Sequence, residues 1–255
     1  MKSLERHLRS LRERGVKALV PYFMAGVTPD WVRHVEAAIA GGANAVEIGV
    51  PFSDPMMDGV VIQEAGLRAL ANATTFDSLC AEVAGLTAGV PLVAMSYYNV
   101  FHHYGLAASA RRLADSGIEG AIVPDLAPEE AEPWRDACHA LDVANVFLVA
   151  PSTPRERVTR ITAMSEGFVY ASARMAVTGR AADLGAAPRV VAAVREATDL
   201  PTYVGIGITT PEQAREAALM ADGVIVGSAL VRTILDGASP AETEKLVNGF
   251  RRALD

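Results

Sequence analysis

Val46-Glu47-Ile48-Gly49-Val50-Pro51-Phe52-Ser53-Asp54-Pro55-Met56-Met57-Asp58-Gly59 begins as an apolar strand and breaks into a Pro/Ser/Asp loop that carries two further carboxylates. Glu47 is the odd member. An acid inside a buried strand costs free energy unless it is paired or its pKa is shifted. One reading is a carboxylate partnered by a distant Arg or Lys; the other is a working acid. A polar loop held by a rigid strand is a common place for function, which favours the second.

Working outward, the same strand-then-helix pattern recurs along the chain. Strands are expected at 18–24, 45–49, 91–96, 120–124, 145–149, 167–171, 202–205 and 223–226, most of them short and rich in Val, Ile, Ala or Phe. Helical stretches separate them at 30–40, 60–72, 75–87, 106–116, 128–141, 154–164, 188–197, 211–219 and 239–254. Apolar strands in alternation with helices mean burial on both sheet faces, and eight of them argue for a closed (β/α)8 TIM barrel of the α/β class. An open doubly wound sheet would want G-x-G-x-x-G after the first strand, and none is present. Residues 1–14 form an additional amphipathic capping helix, with Ser3 as its N-cap, Leu4, Leu8 and Leu11 on one face, and Gly15 as its end. No linker or low-complexity tract interrupts residues 1–255, so one domain is expected.

Composition narrows the function classes. A net charge of −7 provides no basic footprint for nucleic acid or an anionic membrane, though local pockets for a small phosphorylated compound remain open. Cys80 and Cys138 lie far apart, without metal-ligand spacing, and read as buried thiols in a reducing compartment. There is no signal-type leader and no long uncharged apolar span, so a cytoplasmic enzyme is expected. The five histidines show no metal spacing; His7, His34 and His139 fall in helices, and His102-His103 read as a solvated loop pair. No Lys lies at a strand end, which argues against a Schiff-base aldolase.

Barrel enzymes build their active sites where the strands end. Those positions hold Tyr22, Glu47, Asp54, Asp58, Tyr97, Asn99, Asp125 and Tyr170, the loop to Gly179, Gly205-Ile206-Gly207 and Gly227-Ser228. Thr210-Pro211-Glu212-Gln213 starts a helix with a capping box. Gly207, Gly227 and Ser228 read either as tight turns or as a phosphate site made of backbone N–H groups, the site barrels often place after strands seven and eight. The residues alone reach a cofactor-free lyase or isomerase, without metal, acting on a small phosphorylated compound.

With these residues laid out, the chain resembles the tryptophan synthase α subunit family along nearly its whole length. Val46–Gly59 is close to that family's signature. Further matches fall in register at Pro21-Tyr22, Met95 to Asn99, Pro124-Asp125-Leu126, Tyr170 with Val177-Thr178-Gly179, Gly205-Ile206-Gly207 and Gly227-Ser228. The resemblance implies retro-aldol cleavage of indole-3-glycerol phosphate to indole and glyceraldehyde 3-phosphate without a cofactor. It implies Glu47 as general acid–base, Asp58 as partner of the indole N–H, and Tyr170 packed beside Glu47. Tyr22, Tyr97 and Asp125 would line the substrate site. Gly179, Gly207, Gly227 and Ser228 would bind phosphate, with Thr178 closing the sixth loop over the second. A tryptophan synthase β subunit in an αββα complex is the implied partner. Departures from the family pattern stand at Met57, Val60, Ala127 and Ala176, in loops that face the β subunit in the family; a backbone needing φ > 0 at Ala176 would be strained. A stand-alone lyase releasing free indole, a non-catalytic subunit that only activates a β partner, and a barrel enzyme with a drifted substrate are the alternatives.

Overall fold

The computed structural model describes residues 1–172, 186–205 and 207–255. Helix α1 (Ser3–Glu13) opens the chain. Lys2, rather than Ser3, sits at its N-cap, and the Ser3 N–H turns instead to the Asp142 carboxylate at 3.4 Å. Strand β1 (Ala18–Met24), helix α2 (Trp31–Ala40) and strand β2 (Val46–Gly49) follow, then α3 (Val60–Ala71), α4 (Phe76–Val83) and β3 (Leu92–Met95). Next come α5 (Tyr98–Tyr104), α6 (Leu106–Asp115), β4 (Ile118–Ile122), a 3-10 turn (Pro128–Glu130), α7 (Glu132–His139), β5 (Ala144–Val146) and β6 (Leu148–Val149). The remaining described elements are α8 (Arg155–Met164), β7 (Val169–Ser172), α9 (Ala187–Ala197), β8 (Thr202–Gly205), α10 (Pro211–Met220), β9 (Gly223–Val226), α11 (Ser228–Leu235) and α12 (Pro240–Leu254).

All strand pairs are parallel, and the sheet order is β5-β4-β3-β2-β1-β9-β8-β7-β6. Its two ends are consecutive in sequence. β5 pairs with β4, β6 pairs with β7, and only Phe147 lies between them. The Phe147 carbonyl accepts the Tyr170 N–H at 3.0 Å, so the ladder passes from one neighbour to the other within a single run of chain. The expected strand 145–149 thus counts once, as the fifth of eight barrel strands, and the expected TIM barrel with its N-terminal helix is the observed fold.

Strand alternation sorts the core into two layers. Ala18 and Val20 of β1, Val93 of β3, Ile122 of β4, Ala144 and Val146 of β5, Tyr170 of β7 and Tyr203 of β8 point inward and pack together. Leu4, Leu8 and Leu11 of α1 join this inner cluster and close one end of the barrel. Leu4 lies against Gly120 and Gly167, where an added methyl group would collide with it. Val46 and Ile48, the outward neighbours of Glu47, belong to the larger layer between sheet and helices. That split leaves Glu47 facing the barrel axis.

The fourth strand begins two residues earlier than expected, because Gly117 (φ 79°) has already turned the chain. Pro124, taken as its end, has no N–H for the ladder. His102 and His103 lie in α5 rather than in a loop. Both cysteines are buried free thiols, and no helix among the described residues is long and apolar enough to cross a membrane.

Candidate active site

The inward positions nearest the strand ends line a cavity of about 670 Å³ including its open mouth. Glu47 stands at its base, paired in register with Tyr22 of β1 on one side and Val93 of β3 on the other. It is 1% exposed, and its Oε2 has no hydrogen-bond partner among the described residues. Among the described residues no cation compensates it. Burial, and then the negative charge of Asp58, push its pKa up to about 8.

Asp58 comes from the loop between β2 and α3. Burial raises its pKa to about 6, opposed by the Tyr97 hydroxyl, which favours the charged form. Its carbonyl is held by the Gln63 amide at 2.9 Å. Near neutral pH the two carboxyls therefore differ in charge: Glu47 is mostly the neutral acid, and Asp58 mostly the anion. Environments that push two titratable groups apart assign them different tasks.

Tyr22 and Tyr170 are buried and face this pair, and both phenols are held protonated, first by burial and then by the neighbouring carboxylates. Each ring lies over a glycine on the next strand. A methyl group on Gly49 would collide with the Tyr22 phenol, and one on Gly205 with that of Tyr170. Opposite the carboxylates, Gly207, Gly227 and Ser228 reach the same cavity. Gly207 adopts φ 100°, a conformation that favours glycine. Gly227 is the N-cap of α11 and Ser228 its first residue, so the unpaired N–H groups of that first turn lie at the rim.

Two expected site residues point elsewhere. The Tyr97 hydroxyl accepts the Met57 N–H at 2.9 Å, and its ring stacks on Phe52 with centroids 5.2 Å apart. The Asp125 carboxylate accepts the Tyr98 N–H at 2.8 Å, at the start of α5. Neither lines the cavity. Ala176, Val177, Thr178 and Gly179 lie outside the described residues. The apolar wall also includes Ile62, Pro124, Leu148, Ile208 and Ile225, which sequence reasoning missed. For Leu148 and Ile225 the signal was available, since each is an inward position near its strand's end. Among the described residues no cluster of His, Cys, Asp or Glu could hold a metal ion.

A buried acid, a nearby anion, an apolar slot and an anion-binding rim in one barrel mouth can bind an apolar ring with a phosphorylated tail and exchange a proton with it. The family model of the tryptophan synthase alpha chain matches residues 8–252. The chain belongs to the tryptophan synthase alpha chain family. The alpha chain of Thermobifida fusca is 46% identical over 244 residues, covering 92% of this chain and 90% of its own. That of a Roseiflexus species is 44% identical, covering 96% and 95%. The tryptophan synthase of Mycobacterium tuberculosis superposes with a TM-score of 0.93 at 37% identity, covering 99% of this chain and 98% of its own. Such similarity extends through the barrel and both carboxylate-bearing segments, so the tryptophan synthase alpha chain architecture spans the whole described chain.

Proposed function

We propose that Glu47 and Asp58 divide between them the acid–base work of the tryptophan synthase alpha reaction, cleavage of indole-3-glycerol phosphate to indole and glyceraldehyde 3-phosphate. The observation that carries this reading is the buried Glu47 carboxyl, its Oε2 without a partner among the described residues, held neutral near pH 7 beside an Asp58 that is ionised. The chain is a carbon–carbon lyase by family. The steps follow from its residues. Neutral Glu47 delivers its proton to indole C3, making a cationic ring whose positive charge spreads to the N–H. Asp58 accepts the hydrogen bond of that N–H and stabilises the charge. Glu47, now a carboxylate, takes the proton of the hydroxyl on the glycerol carbon attached to C3. The C–C bond breaks as that carbon becomes an aldehyde, and the bonding pair returns to the ring, giving neutral indole. Glu47 ends protonated, and no proton is gained or lost.

Tyr170 packs beside Glu47, and Tyr22 with the apolar wall flanks the indole ring. Gly207, Gly227, Ser228, Gly179 and the α11 N-terminus take the phosphate, and Thr178 helps to close the site. We read residues 1–255 as one domain, supported by the single barrel sheet, and place the protein in the cytoplasm as a biosynthetic enzyme. It works with a tryptophan synthase β subunit, a reading supported by its close structural likeness to tryptophan synthase. Indole release by Glu47→Gln and Asp58→Asn tests the assignment: each should lose most of the rate with the fold intact, and a variant that keeps it removes its residue from the mechanism.

A further inference from the structure

Asp58 is only as well placed as the loop that carries it, and that loop holds few apolar anchors. Met56 and Val60 are 72% and 69% exposed, so burial alone does not fix its path. Three contacts do. The Met57 N–H donates to the Tyr97 hydroxyl at 2.9 Å, Phe52 stacks on the Tyr97 ring, and Gln63 holds the Asp58 carbonyl. Having accepted one hydrogen bond, the Tyr97 hydroxyl still has its own proton, which it can donate to the Asp58 carboxylate.

Tyr97 is itself anchored. It is 5% exposed, and it is the N-cap of α5, yet its side chain caps nothing there. The first turn is satisfied from another loop, by Asp125 accepting the Tyr98 N–H. A carboxylate at a helix N-terminus is stabilised by the macrodipole, so this contact fixes where β3 passes into α5 and hence where Tyr97 stands. Loops two, three and four are thus tied in one series: Asp125, Tyr98, Tyr97, Met57-Asp58.

We propose that Tyr97, held in place by Asp125 through the first turn of α5, is a positioning residue that orients Asp58 toward the indole N–H rather than a group that binds substrate. This deepens the reading of Asp58 given above and rests on it. The ionisable groups that face Asp58 are Tyr97, Tyr22 and Glu47. Of these, only the Tyr97 hydroxyl favours the charged carboxylate, so removing that hydroxyl should favour the neutral acid.

The test is steady-state cleavage of indole-3-glycerol phosphate between pH 5 and 9 by wild type, Y97F, D58N and the double variant, together with NMR of the substrate-free proteins. Misplacing a reacting group by about 1 Å costs on the order of 100-fold, so Y97F should lower kcat roughly 10- to 100-fold with KM within about twofold. Its acidic limb should move to higher pH, the Asp58 carboxyl should titrate later, and the Met57 amide should exchange faster. In the D58N background Y97F should cost less than about twofold, because groups acting as one unit are not additive. D125A should lose rate in the same direction, and D125N, which keeps an oxygen acceptor, should recover most of it. A Y97F that raises KM with kcat unchanged, or losses that add with D58N, would overturn the proposal. So would an unmoved Asp58 titration with an unmoved Met57 amide. Absence of turnover in the wild type would overturn the reaction assignment instead, and the two NMR readouts would still decide whether Tyr97 positions Asp58.

Discussion

Glu47→Gln should make the protein more stable while removing its activity. The carboxyl is buried with Oε2 unpartnered among the described residues, and its pKa stands at about 8 against the ordinary 4.5 of a glutamate. A folded-state pKa above the unfolded one means that the folded protein resists ionisation. The stability is full below about pH 4.5, falls as the unfolded chain ionises, and levels off once pH passes about 8. With about 1.4 kcal/mol per unit, the cost at pH 7 is about 3 kcal/mol, rising to nearly 5 above pH 8. Gln has almost the same shape and cannot ionise. It should recover about 2–3 kcal/mol at pH 7, less whatever the amide loses by leaving a donor unpaired. For a chain of this size that is a rise of roughly 4–10 °C in thermal midpoint. Parallel thermal and urea unfolding of wild type and Glu47→Gln at pH 4.5, 6, 7 and 8 reads it directly. The gap should be near zero at pH 4.5 and widen steadily. Equal stability at pH 8, or a gap independent of pH, would refute the claim that the fold carries Glu47 as an unpaired acid.

The remaining expectations are shorter. The pH profile of kcat/KM should be bell-shaped, with an acidic limb near 6 from Asp58, which must be ionised, and a basic limb near 8 from Glu47, which must be protonated; a flat profile from pH 5 to 9 would remove both assignments. Gly207→Ala, at φ 100°, should raise KM for the phosphorylated substrate by roughly tenfold with a smaller effect on kcat, as loss of uniform binding does; unchanged KM would take Gly207 out of the phosphate site. Gly49→Ala should destabilise by about 1–3 kcal/mol through collision with the Tyr22 phenol, and Tyr22→Leu in the same chain should restore most of it. If the second change restores nothing, the collision is not the cause.

The sequence carried some of this structure openly and hid the rest, for physical reasons. Glu47 was legible because an acid between Val46 and Ile48 breaks an apolar strand, and its cost must be met somehow. The barrel was legible because parallel strands covered on both faces leave near-continuous Val/Ile/Ala runs. The Thr210/Gln213 capping box formed as read, with Thr210 accepting the Gln213 N–H at 3.3 Å. Helix α5 was not legible: Tyr98–Tyr104 has aromatic and β-branched residues, no capping side chain of its own, and only seven residues. Its cap comes from Asp125, 27 positions away, and no local pattern encodes such a contact. The same distance explains why Tyr97 and Asp125 read as substrate groups. Position at a strand end says that a side chain is near the mouth, not which way it turns once another loop offers it a hydrogen bond. The passage of pairing at Phe147 was likewise invisible, because Ala144, Val146 and Leu148 keep a regular inward alternation straight through it.

The most direct test of the central claim is indole release from indole-3-glycerol phosphate by the purified chain with a tryptophan synthase β subunit supplied, wild type against Glu47→Gln. The account predicts steady indole formation by the wild type and none above background from a folded Glu47→Gln protein. Indole formation by the variant at a rate near wild type, or none from the wild type, would contradict it.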